Sequence, residues 1–206
     1  MDTLATKQYP AKIRGQLEEP ISSWLFLIKW LLLLPHWVLL IFLYIGFIFS
    51  WLGSMIAIAF TGKYPRALFD YNVGVIRWGW RVGFYSYQAM GTNKYPPFSL
   101  QPLDSYPADI TIDYPEKLHR GVVLIKWWLL ALPHYAVVAL LVGGAGYRFG
   151  GLQILLVLFA TVGNLFNKSY PKDLWELVMG INHLVYRVFA YAALTTDEYP
   201  PFRLGE

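Results

Sequence analysis

The sequence predicts an all-α integral membrane protein, a tandem repeat in which a helical transmembrane hairpin is followed each time by an amphipathic aromatic and arginine-bearing helix. Three observations predict it. Of the 206 residues 56% are hydrophobic and only 15% charged, far from the balance of soluble domains. Ile21 to Phe60 runs about forty residues with only Lys29 and His36 as basic interruptions and no acid, whereas one spanning helix needs roughly 20. Finally, long stretches of the first half recur in the second.

The repeat sets the domain organisation. "LIKWLLLLPHW" from Leu27 matches "LIKWWLLALPHY" from Leu124, and "KYPRALFDYNVG" from Lys63 matches "SYPKDLWELVMG" from Ser169. Each copy closes on "YPPF" followed, one residue on, by Leu100 or Leu204. The chain therefore reads as an N-terminal tail (1–8), a first membrane repeat (9–100), a linker (101–113) and a second membrane repeat (114–206). The segment Met1 to Glu19 carries Asp2, Lys7, Lys12, Arg14, Glu18 and Glu19 without an apolar core, which does not match a cleaved secretory signal. With no cysteine in the chain, disulfides, thiolate metal sites and thiol nucleophiles are excluded.

Each apolar stretch divides into two legs. In the second copy Gly121 to Val142 is one run, "GGAGYRFGG" breaks it, and Leu152 to Phe166 is another; glycines supply the backbone freedom of a tight reversal. In the first copy the corresponding turn is expected near Leu43 to Gly46. Next comes the third element. At 100° per residue Asp70, Gly74, Arg77, Arg81, Tyr85 and Gln88 share one stripe, and Glu176, Gly180, His183, Arg187 and Tyr191 repeat it.

Loop charge chooses between two topologies. If the third element spans, giving six spans, the loop cations Lys7, Lys12, Arg14, Lys63, Arg66, Arg148 and Arg203 face Lys94, Lys117, Arg120, Lys168 and Lys172 across the membrane. If it lies in the interface, giving about four spans, all of these except Arg148 share the side of the N-terminus. The positive-inside rule favours four spans with both termini cytoplasmic and the copies related by a pseudo-twofold along the membrane normal. Lys29 and Lys126, in the first turns of their legs, then snorkel to that same face.

"TGKYPRALFDYNVGVIRWGWRV", "TDEYPPF" and the "LPH" of the first leg resemble a bacterial membrane-protein family known as domain of unknown function 4389, and both copies look like that domain. The second copy departs from the first, with His183 in place of Arg77 and Ser169 in place of Lys63. The resemblance implies a bacterial inner-membrane location and brings no activity, cofactor or catalytic residue with it.

Candidate sites follow from chemistry. Arg77, Arg81 and Arg187, with Trp78, Trp80, Lys29 and Lys126, have the donors and amphipathic rings to hold anionic lipid headgroups; the competing reading has the arginines pairing with Asp70, Glu176 and the linker acids to dock each helix. Asp70 and Glu176 stand two turns from Arg77 and His183, so their partners are expected on another element, and Gly74 and Gly180 permit a close helix approach. His36 and His134, each after a proline, form a symmetric pair able in principle to ligate a haem or metal; the alternative is a hydrogen bond to a carbonyl that the proline frees. The Tyr-Pro pairs at Tyr9, Tyr64, Tyr95, Tyr106, Tyr114, Tyr170 and Tyr199 read as rigid corners with tyrosine at headgroup level.

No nucleophile and base constellation, phosphate loop or metal-ligand spacing stands out. The expected function is a non-enzymatic inner-membrane scaffold or accessory subunit, without a cofactor, that binds anionic phospholipid and a partner membrane complex or further copies of itself. A small transporter or channel is the alternative, and a haem-binding electron-transfer protein the second. The net charge of +4 is assigned to topology and lipid rather than to nucleic acid.

Overall fold

A computed structural model describes residues 8–22, 24–143, 151–167 and 169–205. Strand β1 (Ala11–Gly15) leads into a single 3-10 turn (Leu25–Leu27), the short helix α1 (Lys29–Leu32), the long helix α2 (Leu34–Thr61) and helix α3 (Arg66–Tyr85). Strand β2 (Ala108–Ile112) precedes α4 (Val123–Ile125), one π turn (Lys126–Leu130), α5 (Leu132–Val142), α6 (Leu152–Asn167) and α7 (Lys172–Ala192).

The fold is mostly helical but not all-α, and it does not have four spans or six. Among the described residues one helix, α2, is long and apolar enough to cross a membrane; a second span is reached only if Val123–Leu130 and Leu132–Val142, bent by 42°, count as one. The first apolar stretch breaks at Leu33, not at Leu43 to Gly46. Pro35 lies in the first turn of α2, where its missing N–H costs nothing and its fixed φ favours the helix. Beyond it α2 continues through Leu43 and Gly46 to Thr61, ending on Gly62 at φ 72°. At about 1.5 Å per residue its 28 residues reach about 42 Å, more than the roughly 30 Å of bilayer hydrocarbon.

Gly46 has a different task from turning the chain. A Cβ there would sit 2.3 Å from the Tyr71 hydroxyl, which donates to Leu43 O at 2.9 Å. Conversely, Tyr44 lies against Gly79, where a Cβ would meet its hydroxyl at 2.5 Å. Each helix thus seats a tyrosine of the other over a glycine, and α2 and α3 cross closely. His36, Leu40, Phe47, Ser54 and Ile58 form the buried stripe of α2 at coiled-coil spacing.

Of the segment expected to turn in the second copy, 143–151, residues 144–150 lie outside the described residues, as do Lys7, Arg148 and Lys168 of the charge argument. Its flanks meet: the N–H of Gly151 donates to Val142 O at 3.2 Å, so α6 starts beside the end of α5.

Neither α3 nor α7 lies exposed at an interface. Val75, Ile76, Trp80 and Phe84 of α3 and Val178, Ile181, Leu184 and Val188 of α7 are buried. α3 lies between α2 and β2, and α7 packs on α6 and on β1. The strands pair antiparallel, with Ile13 opposite Ile110 and Ala11 opposite Ile112. Their inward residues, Ala11, Ile13, Ala108, Ile110 and Ile112, complete the core while Lys12 and Thr111 point to water, the alternation of a half-buried strand. The supposed linker is therefore a working part of the fold. β1 precedes the first set of helices and packs on the last helix of the second; β2 precedes the second set and packs on α3 of the first.

Candidate functional site

The arginine stripe of α3 faces β2. Asp109, at the second position of that strand, takes Arg77 Nε at 2.8 Å on Oδ1 and Arg81 Nη2 at 3.3 Å on Oδ2. The backbone N–H groups of Ile110 and Leu103 donate to the same carboxylate at 2.7 and 3.2 Å. Burial pulls the Arg81 guanidinium down from its ordinary value, and the Asp109 charge opposes this. An ion pair removed from water this far needs its other donors and acceptors satisfied, and here most of them are, Arg81 Nε being the exception.

The other arginine donors clasp the segment that follows "YPPF". Arg77 Nη1 donates to Leu100 O at 2.8 Å, and Arg81 donates to Ser99 O at 3.1 Å and Gln101 O at 2.9 Å. Gly74 makes room for that segment: a Cβ there would lie 2.9 Å from Leu100 Cβ. The second half repeats the clasp. Arg187 donates to Arg203 O at 3.1 Å and Gly205 O at 2.7 Å, and Gly180 faces Leu204 as Gly74 faces Leu100. The two glycines admit an extended tail rather than another helix.

Asp70 has a closer partner than expected, since Arg66 of the same helix pairs with it at 3.1 Å on an exposed face. Its contribution is small, as for exposed pairs generally.

The lysines and histidines also recur in matching settings. Lys29 Nζ donates to Thr92 O at 2.8 Å and lies 4.5 Å from the centre of the Tyr85 ring. Lys126 Nζ donates to Thr196 O at 2.7 Å, lies 5.2 Å from the Tyr191 ring, and pairs in addition with Asp197 at 2.7 Å. His36 stacks on Phe98 with centroids 3.9 Å apart and accepts the Trp78 indole N–H on Nδ1 at 2.9 Å. His134 stacks on Phe202, also at 3.9 Å, and its Nε2 lies 2.8 Å from Pro200 O. Each imidazole has its own aromatic stack, and the His134 bond is to a carbonyl of a Pro-Pro corner rather than to one within its helix.

The seven residues expected at lipid headgroups thus all lie inside the protein. Arg77, Arg81, Arg187, Trp78, Trp80, Lys29 and Lys126 are buried, and the Trp80 indole N–H donates inward to Arg14 O at 2.9 Å.

Most of the Tyr-Pro corners are internal as well. Tyr9 donates to Arg187 O at 3.4 Å and Glu198 O at 3.1 Å; Tyr106 donates to Arg81 O at 3.4 Å and Lys94 O at 3.3 Å. Burial raises both phenols above their ordinary value, so both remain neutral donors. Tyr64 and Tyr170 are also buried, whereas Tyr95 and Tyr199 reach the surface. Sequence reasoning missed Asp109, Tyr9 and Tyr106 as members of the clasps. A signal was available: "YPA" followed one residue later by isoleucine occurs at Tyr9 and again at Tyr106, and it marks the two strands.

Beside the second clasp a cavity of about 80 Å³ is lined by Gln8, Tyr9, Lys12, His183, Arg187 and Arg203. No group of three His, Cys, Asp or Glu residues suited to a metal occurs among the described residues.

These features define a helical protein with, among the described residues, one helix long and apolar enough to cross a membrane and a polar layer clasped under a two-stranded sheet. Residues 23–99 match the model of the domain of unknown function DUF4389. No curated protein and no solved structure is significantly similar to the chain.

Proposed function

We propose that this protein is a non-enzymatic membrane scaffold or accessory subunit: two copies of one helical unit, held in lipid by an apolar face and locked together on their polar side, on which a partner membrane complex assembles. The observation that carries this reading is the outward face of α2. Only 22% of its most apolar window is buried inside the protein, and Phe42, Ile45, Ile48, Phe49, Ile56 and Phe60 point outward. A face this apolar and this long needs lipid or another apolar surface around it.

Duplication is supported by the recurrence of the clasps, the lysine cradles and the histidine stacks at corresponding places in both halves. A scaffold role is supported by where the charges go. The buried cations are spent on carbonyls and on single carboxylates that tie segments together, which makes a rigid platform. Headgroup contacts fall instead to Lys63 and Arg120 at the C-terminal end of α2. Both are exposed there, Arg120 donates to Thr61 O at 3.2 Å, and basic residues complement both the helix terminus and an anionic surface.

Alkaline carbonate washing of membranes carrying the protein, followed by native gel electrophoresis after mild solubilisation, tests the reading. Retention in the membrane pellet and migration well above the 23.7 kDa of one chain are expected. Release by carbonate, or a monomer under every mild condition, overturns it.

A further inference from the structure

The layering of the fold decides how the apolar face of α2 can meet lipid. α3 lies between α2 and β2, and in the second half α7 lies between α6 and β1. Three bonds fix the register of the first two layers. Trp78 donates to His36, Tyr71 donates to Leu43 O, and Ser50 donates to Leu68 O. α3 therefore runs back along α2 from its first turn to beyond its middle, and from His36 to Ser50 it accompanies α2 for about 21 Å. The third layer keeps pace with the second. Arg77 reaches Asp109 and Ile110 O, and Arg66 lies 4.7 Å from the centre of the Tyr114 ring. Arg66 to Arg77 on a helix and Asp109 to Tyr114 on a strand both cover about 16 Å, so β2 runs beside α3 over the stretch that α3 shares with α2. The sheet then turns Lys12, Thr111 and Asp113 to water, on the side away from α2.

Resting on the reading of the outward face of α2 as lipid-facing, we propose that this helix does not cross the bilayer but lies along it, its outer face set into one leaflet and the sheet held in the water above. Standing upright, α2 would carry β2 to hydrocarbon depth, with Lys12 and Asp113 beside it, where charges and open strand edges are disfavoured. Lying flat, it behaves as an interfacial helix whose polar face is supplied by α3 and the sheet. Charge is sorted to match. α2 carries no acid, lysine or arginine, while Lys12, Asp104, Asp113 and Lys117 are exposed around the sheet. The exposed apolar surface also continues beyond α2, onto Leu27, Ile28 and Leu31 before it and onto Leu140, Leu155 and Phe159 of the second half. One leaflet covers a surface spread over both halves at once.

Depth measurement in liposomes of phosphatidylcholine and phosphatidylglycerol tests the orientation. The chain has no cysteine, so each introduced thiol is unique. Val38, Phe49 and Phe60 are 54%, 71% and 78% exposed; they follow one another at eleven residues, about three turns, and so share a face. Full-length Val38→Cys, Phe49→Cys, Phe60→Cys and Thr111→Cys are spin-labelled, and the access of oxygen and of a water-soluble nickel chelate is read by power saturation. The three α2 labels should lie at one depth, about 5–10 Å below the headgroups, and the Thr111 label should be open to nickel. A label at Phe49 about 16 Å deeper than those at Val38 and Phe60 overturns the proposal and leaves the lipid-facing reading standing, with α2 crossing. Nickel access at all three overturns both. Poor access by both reagents at all three means that protein covers the face, and also overturns the proposal. Neutron reflectometry of the unsubstituted protein on a supported bilayer gives a second measurement that no labelling can disturb. Protein density confined to one leaflet and the water beside it is expected; density through both leaflets overturns the proposal.

Discussion

Asp109 shows how one side chain decides what its neighbours can do. Four donors converge on it, two of them from arginines that burial would otherwise penalise. Replacing it by asparagine leaves two guanidinium groups facing a neutral amide, and breaking a buried pair in this way costs about 3–5 kcal/mol. Asp109→Asn should therefore lower the unfolding free energy by that order, whereas Asp104→Asn, on an exposed turn, should change it by less than about 0.5 kcal/mol; denaturant titration in matched detergent checks both. Lys29 carries a second prediction. Burial pushes its ammonium down to about 7, against roughly 10.4 in an unfolded chain. Between those values the unfolded chain binds more protons than the folded one, so stability should rise as pH increases from about 7 towards 10. Below that window the penalty for charging Lys29 is fully present, and above it the group contributes nothing further. Lys29→Met should flatten this rise in a plot of melting temperature against pH; an unchanged slope would assign it to other groups. The conspicuous residues were legible in the sequence because they are polar groups on apolar or aromatic helices. Their partners were not, because Asp109, 32 residues from Arg77 and 28 from Arg81, lies on an element that composition had marked as a linker.

The elements were legible where the hydrophobic period is long and hidden where it is short. The starts of α3 and α7 follow from a Tyr-Pro corner and their helical course from a 3.6-residue stripe, but the stripe read on to Gln88 whereas α3 ends at Tyr85. β1 and β2 are five residues each, and five residues of alternation carry little signal beside about forty of mostly apolar sequence. The number of spans was overcounted for a related reason. Apolar length was read as spanning length, but in both halves part of it goes into a short helix or turn before Pro35 or Pro133, and only the residues from α2 or α5 onward form a longer rod. The crossing of α2 and α3 gives a test at this scale. Gly46→Ala forces the Tyr71 ring away and should destabilise the protein, while Tyr71→Phe alone loses the bond to Leu43 O. Combined, the two should cost less than their sum by about 1 kcal/mol or more, the coupling expected of side chains in direct contact. Additive effects would show that the glycine serves the helix alone and that the crossing has room to spare.

At the scale of the whole molecule the strands matter more than any helix. Each strand precedes one set of helices and completes the core of the other, and the antiparallel pair between them joins both. Further bonds cross between the halves: Trp51 Nε1 donates to Ala192 O at 3.0 Å, Tyr64 donates to Ala193 O at 3.3 Å, and Gln153 and Asn182 both donate to Gln88 O, at 2.8 and 3.2 Å. Neither half is then a self-sufficient domain, although the sequence presents them as successive repeats. A fragment covering residues 1–103 retains Arg77, Arg81 and Trp80 but lacks Asp109 and β2. Its buried guanidinium groups lose their counter-charge, and the face of α3 that meets Ile110 becomes open to water. Such a fragment expressed alone should insert through α2 yet be degraded or aggregate on extraction. Coexpressed with residues 104–206, it should be recovered as a stable noncovalent pair, because both strands are again present and the cut falls among exposed residues ahead of β2. Size-exclusion chromatography and limited proteolysis of the two preparations distinguish the cases. A monomeric, protease-resistant 1–103 fragment would mean that the exchanged strand is decoration and that each repeat folds by itself. Recovery only as the pair would mean that the polar layer forms once, jointly, with the strand pair as its lock.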